Sequence, residues 1–175
     1  MPSAGKEALI SQWYHQYAQD IFSIIYLMTG DYQLAEDLTQ ETFIKAYRHV
    51  DTFRGEASPK TWLIKIGRHL TIDYQRRKKP MQMVLDLLIK KPSPNRPPAE
   101  VVALNESKEE LWNALQKMSR QYREVIILRK VKDFSTKDTA EILGWSESKV
   151  KVTLHRAMED LKSRLKERGY VHGAI

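Results

Sequence analysis

The chain contains no cysteine. That excludes disulfide scaffolds, thiolate zinc sites, iron–sulfur clusters and cysteine nucleophiles together, and it suits a reducing cytosol. Long apolar runs are missing too. The most apolar stretch, residues 21–28, falls well short of the roughly 18 residues a membrane span needs, so an integral membrane protein is not expected. Residues 1–5 lack the basic-then-apolar pattern of a signal peptide. Glycine is scarce, at seven residues, and no glycine-rich phosphate loop occurs. The five histidines, His15, His49, His69, His155 and His172, show no metal-ligand spacing. No segment alternates with period two, and no internal repeat is present. Neither a cofactor nor a metal is expected, and no enzyme.

What is present is helical periodicity. Ile10, Trp13, Tyr14, Tyr17, Ile21, Ile24, Ile25 and Met28 recur every three or four residues, as on one face of a helix. Asp31 is placed to cap a second helix carrying Ala35, Leu38, Thr42, Phe43, Ala46 and Val50. Ser58-Pro59 opens a third, with Trp62, Leu63, Ile66, Leu70 and Tyr74 on its apolar face. Five of seven prolines fall between residues 80 and 98, which predicts a linker over 80–104. Within it, residues 81–89 are apolar enough to form a short helix packed on a domain or partner rather than on a membrane. Downstream, Ser107 with Glu110 has capping-box spacing. Further helices follow through Tyr122, Val125, Ile126 and Leu128, from Ser135 to Gly144, and from Ser146 through Leu165. The fold class is therefore all-α, with two small helical domains, 1–79 and 105–175, on either side of the linker.

The net charge is +7, which permits nucleic-acid binding without requiring it. Its distribution says more. Residues 31–56 carry six acids (Asp31, Glu36, Asp37, Glu41, Asp51, Glu56) against three bases, whereas residues 57–79 carry seven bases (Lys60, Lys65, Arg68, Arg76, Arg77, Lys78, Lys79) against Asp73. The acidic helix is a solvated face or a protein-binding one. The basic helix ends in more cations than a helix terminus uses, and phosphate neutralisation accounts for the surplus.

The most specific local pattern is 135–156. A helix-turn-helix needs a small residue where its helices cross, a left-handed turn residue and an apolar anchor in the second helix. Ala140, Gly144 and Val150 supply these at spacings of four and six. The second helix would present Ser148, Lys149, Lys151, Val152, His155 and Arg156 to a major groove; a three-helix packing unit without DNA is the alternative. Glu36, Asp37 and Glu41 lack the Glu-x-x-His element of a di-iron bundle.

These residues together resemble the extracytoplasmic-function (ECF) sigma factors of bacteria, two-domain promoter-specificity subunits of RNA polymerase, and most resemble the sigma-X group of bacilli. The resemblance rests on Asp31, Ala35-Glu36-Asp37-Leu38, Gln40-Glu41 and Phe43. It rests also on Phe53-Arg54-Gly55 with Thr61-Trp62-Leu63 and Ile66, and on His155-Arg156-Ala157. It implies that Asp31, Glu36, Asp37, Gln40, Glu41 and Phe43 dock the clamp helices of the largest subunit of core RNA polymerase. Arg54, Lys60, Lys65, Arg68, His69, Asp73, Arg76 and Arg77 would engage and melt the minus-ten promoter element, with Trp62 as core support. Ser148, Lys149, Lys151, Val152, His155 and Arg156 would read the minus-thirty-five element. Val152 and Thr153 depart from the small polar and basic residues of many members. The resemblance further implies an anti-sigma factor, membrane-anchored in some cases, with residues 81–89 a contact for it, and a cytoplasmic location without direct membrane binding. A stand-alone helix-turn-helix regulator with a helical sensor domain is the rival reading.

Overall fold

The computed structural model describes residues 3–88 and 106–167. The chain divides into two compact units, Met1–Arg96 and Pro97–Ile175, and no strand occurs among the described residues.

The first unit packs α1 (Ser3–Thr29), α2 (Tyr32–His49) and α3 (Pro59–Leu88). Asp31 caps α2, its carboxylate accepting from the Leu34 N–H at 3.0 Å. Ser58 caps α3, its hydroxyl accepting from Thr61 N–H at 3.1 Å, and Pro59 takes the first position, where a missing donor costs nothing. Ile21, Ile24, Ile25, Ala35, Leu38, Leu63 and Ile64 form the core. A short 3-10 turn, Val50–Thr52, leads Phe53 onto Trp13 and Trp62, with ring centroids 5.3 Å apart in each case. This cluster seats the loop 53–58 against α1 and the start of α3. Each aromatic pair adds roughly 0.5–1.5 kcal/mol beyond its burial.

Two boundaries differ from the periodicity. The third helix runs unbroken through Pro80 to Leu88, past the proline at which the periodicity ends it. Proline removes one helical donor, yet its fixed φ near −65° is compatible with a helix. The stretch 89–104 lies outside the described residues. In the second unit, α4 (Glu106–Lys117) begins one residue before Ser107, the position inferred for its cap.

The second unit continues with α5 (Arg120–Ile126), α6 (Thr136–Leu143) and α7 (Glu147–Lys166). A π turn, Ile127–Val131, extends α5, and Asp133 just beyond it has a positive φ of 53°. Arg123 ties α5 to the end of α4. Its guanidinium donates to the carbonyls of Leu115 (2.8 Å), Gln116 (2.8 Å) and Met118 (3.0 Å). Carbonyls at a helix end have few intrahelical donors, and the guanidinium supplies a donor to all three, joining the Met118 N–H that reaches the Leu115 carbonyl at 3.2 Å. Burial pushes the Arg123 guanidinium below its usual range, opposed by Glu124.

Candidate polymerase and nucleic-acid surfaces

On α2, Asp37, Gln40 and Glu41 are exposed and Glu36 is half-buried. They form a continuous acidic stripe, along which Gln33 donates to Asp37 Oδ1 at 3.2 Å. Two residues expected on this docking face sit otherwise. Asp31 is occupied as the helix cap. Phe43 is only 6% exposed, its ring edge-to-face with Tyr14 at 4.9 Å. The helical repeat places it with the apolar face, so its contribution to the stripe is packing.

The sequence reading missed an apolar margin to that stripe. Ile44 is 52% exposed, one turn beyond Glu41 and Gln40. It borders an open groove of about 420 Å³ between α1 and α2, lined by Glu7, Ile10, Tyr14, Phe43 and Tyr47 among others. An isoleucine at a water-facing position of an otherwise acidic helix was the available signal.

On α3, Lys65, Arg68, His69, Asp73 and Arg76 follow at helical spacing along one side, and Arg77 is exposed beside them. Lys65 and Arg68 are half-buried; His69, Asp73, Arg76 and Arg77 are exposed. His69, exposed but partly desolvated, is held below the ordinary histidine range first by that partial desolvation, then by the positive charges of Arg68 and Lys65. Asp73 works the other way, and Lys45 adds to the depression. That brings Lys45 of α2 into the same cationic field, a residue the sequence reading did not select. Lys60 stands apart from the stripe. Its ammonium forms an ion pair with Asp20 of α1 at 2.7 Å, a partner forty residues away that no local pattern reveals. Arg54 is exposed on the loop before α3.

In the second unit the helix-turn-helix geometry is complete. Ser135 caps α6, its hydroxyl accepting from the Asp138 N–H at 2.9 Å. Gly144 ends it in the left-handed region, φ 67° and ψ 37°, a conformation costly for residues with a Cβ. Ser146 caps α7, accepting from the Lys149 N–H at 3.1 Å. Ala140, Val150, Ala157 and Leu161 are buried. That orientation leaves Ser148, Lys149, Lys151, Val152, His155 and Arg156 all exposed. At 100° per residue, Ser148, Val152 and His155 occupy the centre of the outward face. Lys149 and Arg156 form one flank and Lys151 the other. A neutral centre between cationic edges matches a helix whose middle meets base edges and whose margins meet phosphates.

No helix among the described residues is long and apolar enough to cross a membrane.

Comparison with known proteins agrees with this arrangement. The family model Sigma-70 region 2 matches residues 13–80, and Sigma-70, region 4 matches residues 108–161. The chain is 35% identical over 157 residues to the ECF RNA polymerase sigma factor SigX of Bacillus subtilis, covering 87% of this chain and 81% of that one. It is 36% identical over 164 residues to the RNA polymerase sigma factor YlaC of the same organism, covering 89% and 91%. Among solved structures, the sigma factor RpoE in complex with the anti-sigma factor NepR from Bartonella quintana aligns with a TM-score of 0.75. That alignment has 26% identity and covers 89% of this chain and 96% of RpoE. The acidic helix, the cationic helix and the helix-turn-helix therefore stand within two matched sigma regions, in order. The chain belongs to the extracytoplasmic-function family of RNA polymerase sigma factors, which direct promoter-specific transcription.

Proposed function

We propose that the two units divide the work of initiation, with residues 1–79 serving core polymerase and the minus-ten element and residues 105–175 the minus-thirty-five element. The stripe Glu36, Asp37, Gln40 and Glu41 docks the clamp helices of the largest polymerase subunit. The observation that carries this reading is the segregation of charge. Acids lie along α2, while cations with His69 lie along the neighbouring α3, so one unit offers a protein-facing and a DNA-facing surface at once. Polymerase supplies the chemistry; this chain supplies binding and specificity and is not itself an enzyme.

On α3, Lys65, Arg68, Arg76 and Arg77 neutralise phosphates while His69 and Arg54 border the unstacked nontemplate strand. Unstacking a base costs a few kcal/mol, which a field of fixed cations offsets by holding the separated strand. In the second unit, α7 enters the major groove. Val152, 51% exposed, offers an apolar contact suited to a thymine methyl. Because RpoE was solved with an anti-sigma factor, an anti-sigma factor is proposed for this chain too, competing for the α2 stripe. The chain acts in the cytoplasm, where polymerase and promoters are.

Replacing Asp37 and Glu41 by Lys reverses the stripe without touching the core. The double variant should lose binding to core polymerase while the full chain keeps its affinity for promoter duplex. Polymerase binding that survives the reversal refutes the docking assignment.

A further inference from the structure

We propose that Trp145 is a positioning residue that holds the Lys149 ammonium in place for a backbone phosphate at the edge of the minus-thirty-five element. The proposal rests on the reading that α7 binds promoter duplex, and it adds a residue and a role to that reading. Three observations carry it.

The Lys149 ammonium lies over the Trp145 ring, 4.4 Å from its centroid, within the range of a cation–π contact. Trp145 is itself fixed. It is the single residue between the left-handed Gly144 and the cap Ser146, its N–H donates to the Ala140 carbonyl at 3.0 Å, and its side chain is half-buried. The turn therefore fixes the backbone from which the half-buried indole projects beneath the Lys149 ammonium.

Lys149 is also badly placed for the stability of its own helix. It stands in the first turn of α7, where the helix dipole is positive and a cation is unfavourable. Glu147, two residues earlier, is the type that position favours. A lysine kept against the dipole, and held by an aromatic face, is poised for an anion that also favours a helix N-terminus.

Finally, the contact separates Lys149 from the base-reading centre of the helix. Ser148, Val152 and His155 face outward, while the Lys149 ammonium is drawn back toward the turn. A lysine is a point charge on a flexible stem, and ordering that stem before DNA arrives removes an entropic cost of binding. Lys149 should thus contribute affinity with little base discrimination, leaving discrimination to Ser148, Val152 and His155 at the centre of the face.

The test uses the full chain and a duplex recovered by selecting random DNA for binding to it, with affinity measured across a salt series. Trp145→Leu and Lys149→Met should each weaken the selected duplex by about three- to tenfold, and nonselected duplexes by the same factor. Lys149→Met should lower the salt slope by roughly 0.9, and Trp145→Leu should lower it in the same direction. The double variant should bind no more weakly than Lys149→Met alone. Trp145→Phe keeps an aromatic face and should lose at most about threefold, a loss that vanishes in the Lys149→Met background. That second cycle decides the matter if Trp145→Leu proves unfolded by circular dichroism. Additive losses, or a Trp145→Leu variant that folds and binds like the parent, overturn the proposal. If Arg156→Ala weakens binding and Lys149→Met does not, the positioning role alone falls. If neither does, the reading of α7 as the DNA helix falls with it.

Discussion

Replacing Gly67 by alanine sets two opposed effects against each other in the unit that carries both the acidic and the cationic stripe. A glycine inside a helix costs about 1 kcal/mol relative to alanine, so propensity alone predicts stabilisation. Gly67, however, is buried on the side of α3 that faces α1 and α2. A methyl there would stand 3.0 Å from Thr42 Oγ1, 3.3 Å from Ile25 Cδ1 and 3.6 Å from Ile21 Cγ2. None of these residues is more than 1% exposed. The Thr42 hydroxyl is also engaged, donating to the Leu38 carbonyl at 2.7 Å, so turning it aside breaks a buried bond. Overpacking of a fitted core costs roughly 1–3 kcal/mol, and the clash outweighs the propensity gain. The expected net loss for G67A is about 1 kcal/mol. Thr42→Ala removes the crowding oxygen. In that background the same G67A change should be less costly than in the parent by about 1 kcal/mol, because the tightest contact is gone while Ile25 Cδ1 at 3.3 Å still crowds the methyl. Hydrogen exchange of the slowest α1–α3 amides reports this unit without interference from the other. G67A stabilising both backgrounds equally would refute the close-packing argument.

Three further outcomes follow from the same geometry. Arg123→Ala removes three charge-assisted hydrogen bonds at the end of α4 and should cost the second unit roughly 1–3 kcal/mol, read as lost amide protection in α4 and α5; unchanged protection would contradict it. Arg123→Lys should restore only part, since one ammonium lacks the planar fork that spans three acceptors. His69, held low by partial desolvation and by Arg68 and Lys65, is protonated more readily in the unfolded chain than in the folded one. Its contribution is therefore intact above about pH 6.5 and is lost as pH falls through the lowered folded value. The stability difference between the parent and His69→Gln should be flat above neutrality and move against the parent toward pH 5; a difference independent of pH would show that His69 carries no such penalty.

What was legible in the sequence was what local rules decide. Asp31, Ser58, Ser135 and Ser146 cap the helices their positions imply, and Ala140, Gly144 and Val150 build the turn their spacing implies. Each of these depends on atoms within a few residues. The sequence did not reveal what distant residues decide. Lys60 reads as another cation of α3 until Asp20 is seen beside it. Phe43 reads as part of a docking motif until Tyr14 covers it. Ile44 gains meaning only when α1 supplies the other wall of its groove. Pro80 suggested an end to α3, but a proline costs a helix one bond and a clash without always stopping it. The π turn at Ile127–Val131 had no compositional mark at all, since it is a matter of register: Lys132 N–H reaches the Ile127 carbonyl at 2.9 Å, five residues back. The +7 net charge is likewise a balance between surfaces of opposite sign, and only its placement on separate helices has functional content.

The central claim is that this chain gives core RNA polymerase its choice of promoter. Reconstituting core polymerase with the purified chain on genomic DNA of the source organism, and sequencing the transcript 5′ ends, tests it most directly. The account predicts a defined set of starts absent with core alone and sharing one upstream sequence pattern. Those starts should disappear when Asp37 and Glu41 are replaced by Lys. Starts indistinguishable from those of core polymerase alone would contradict it.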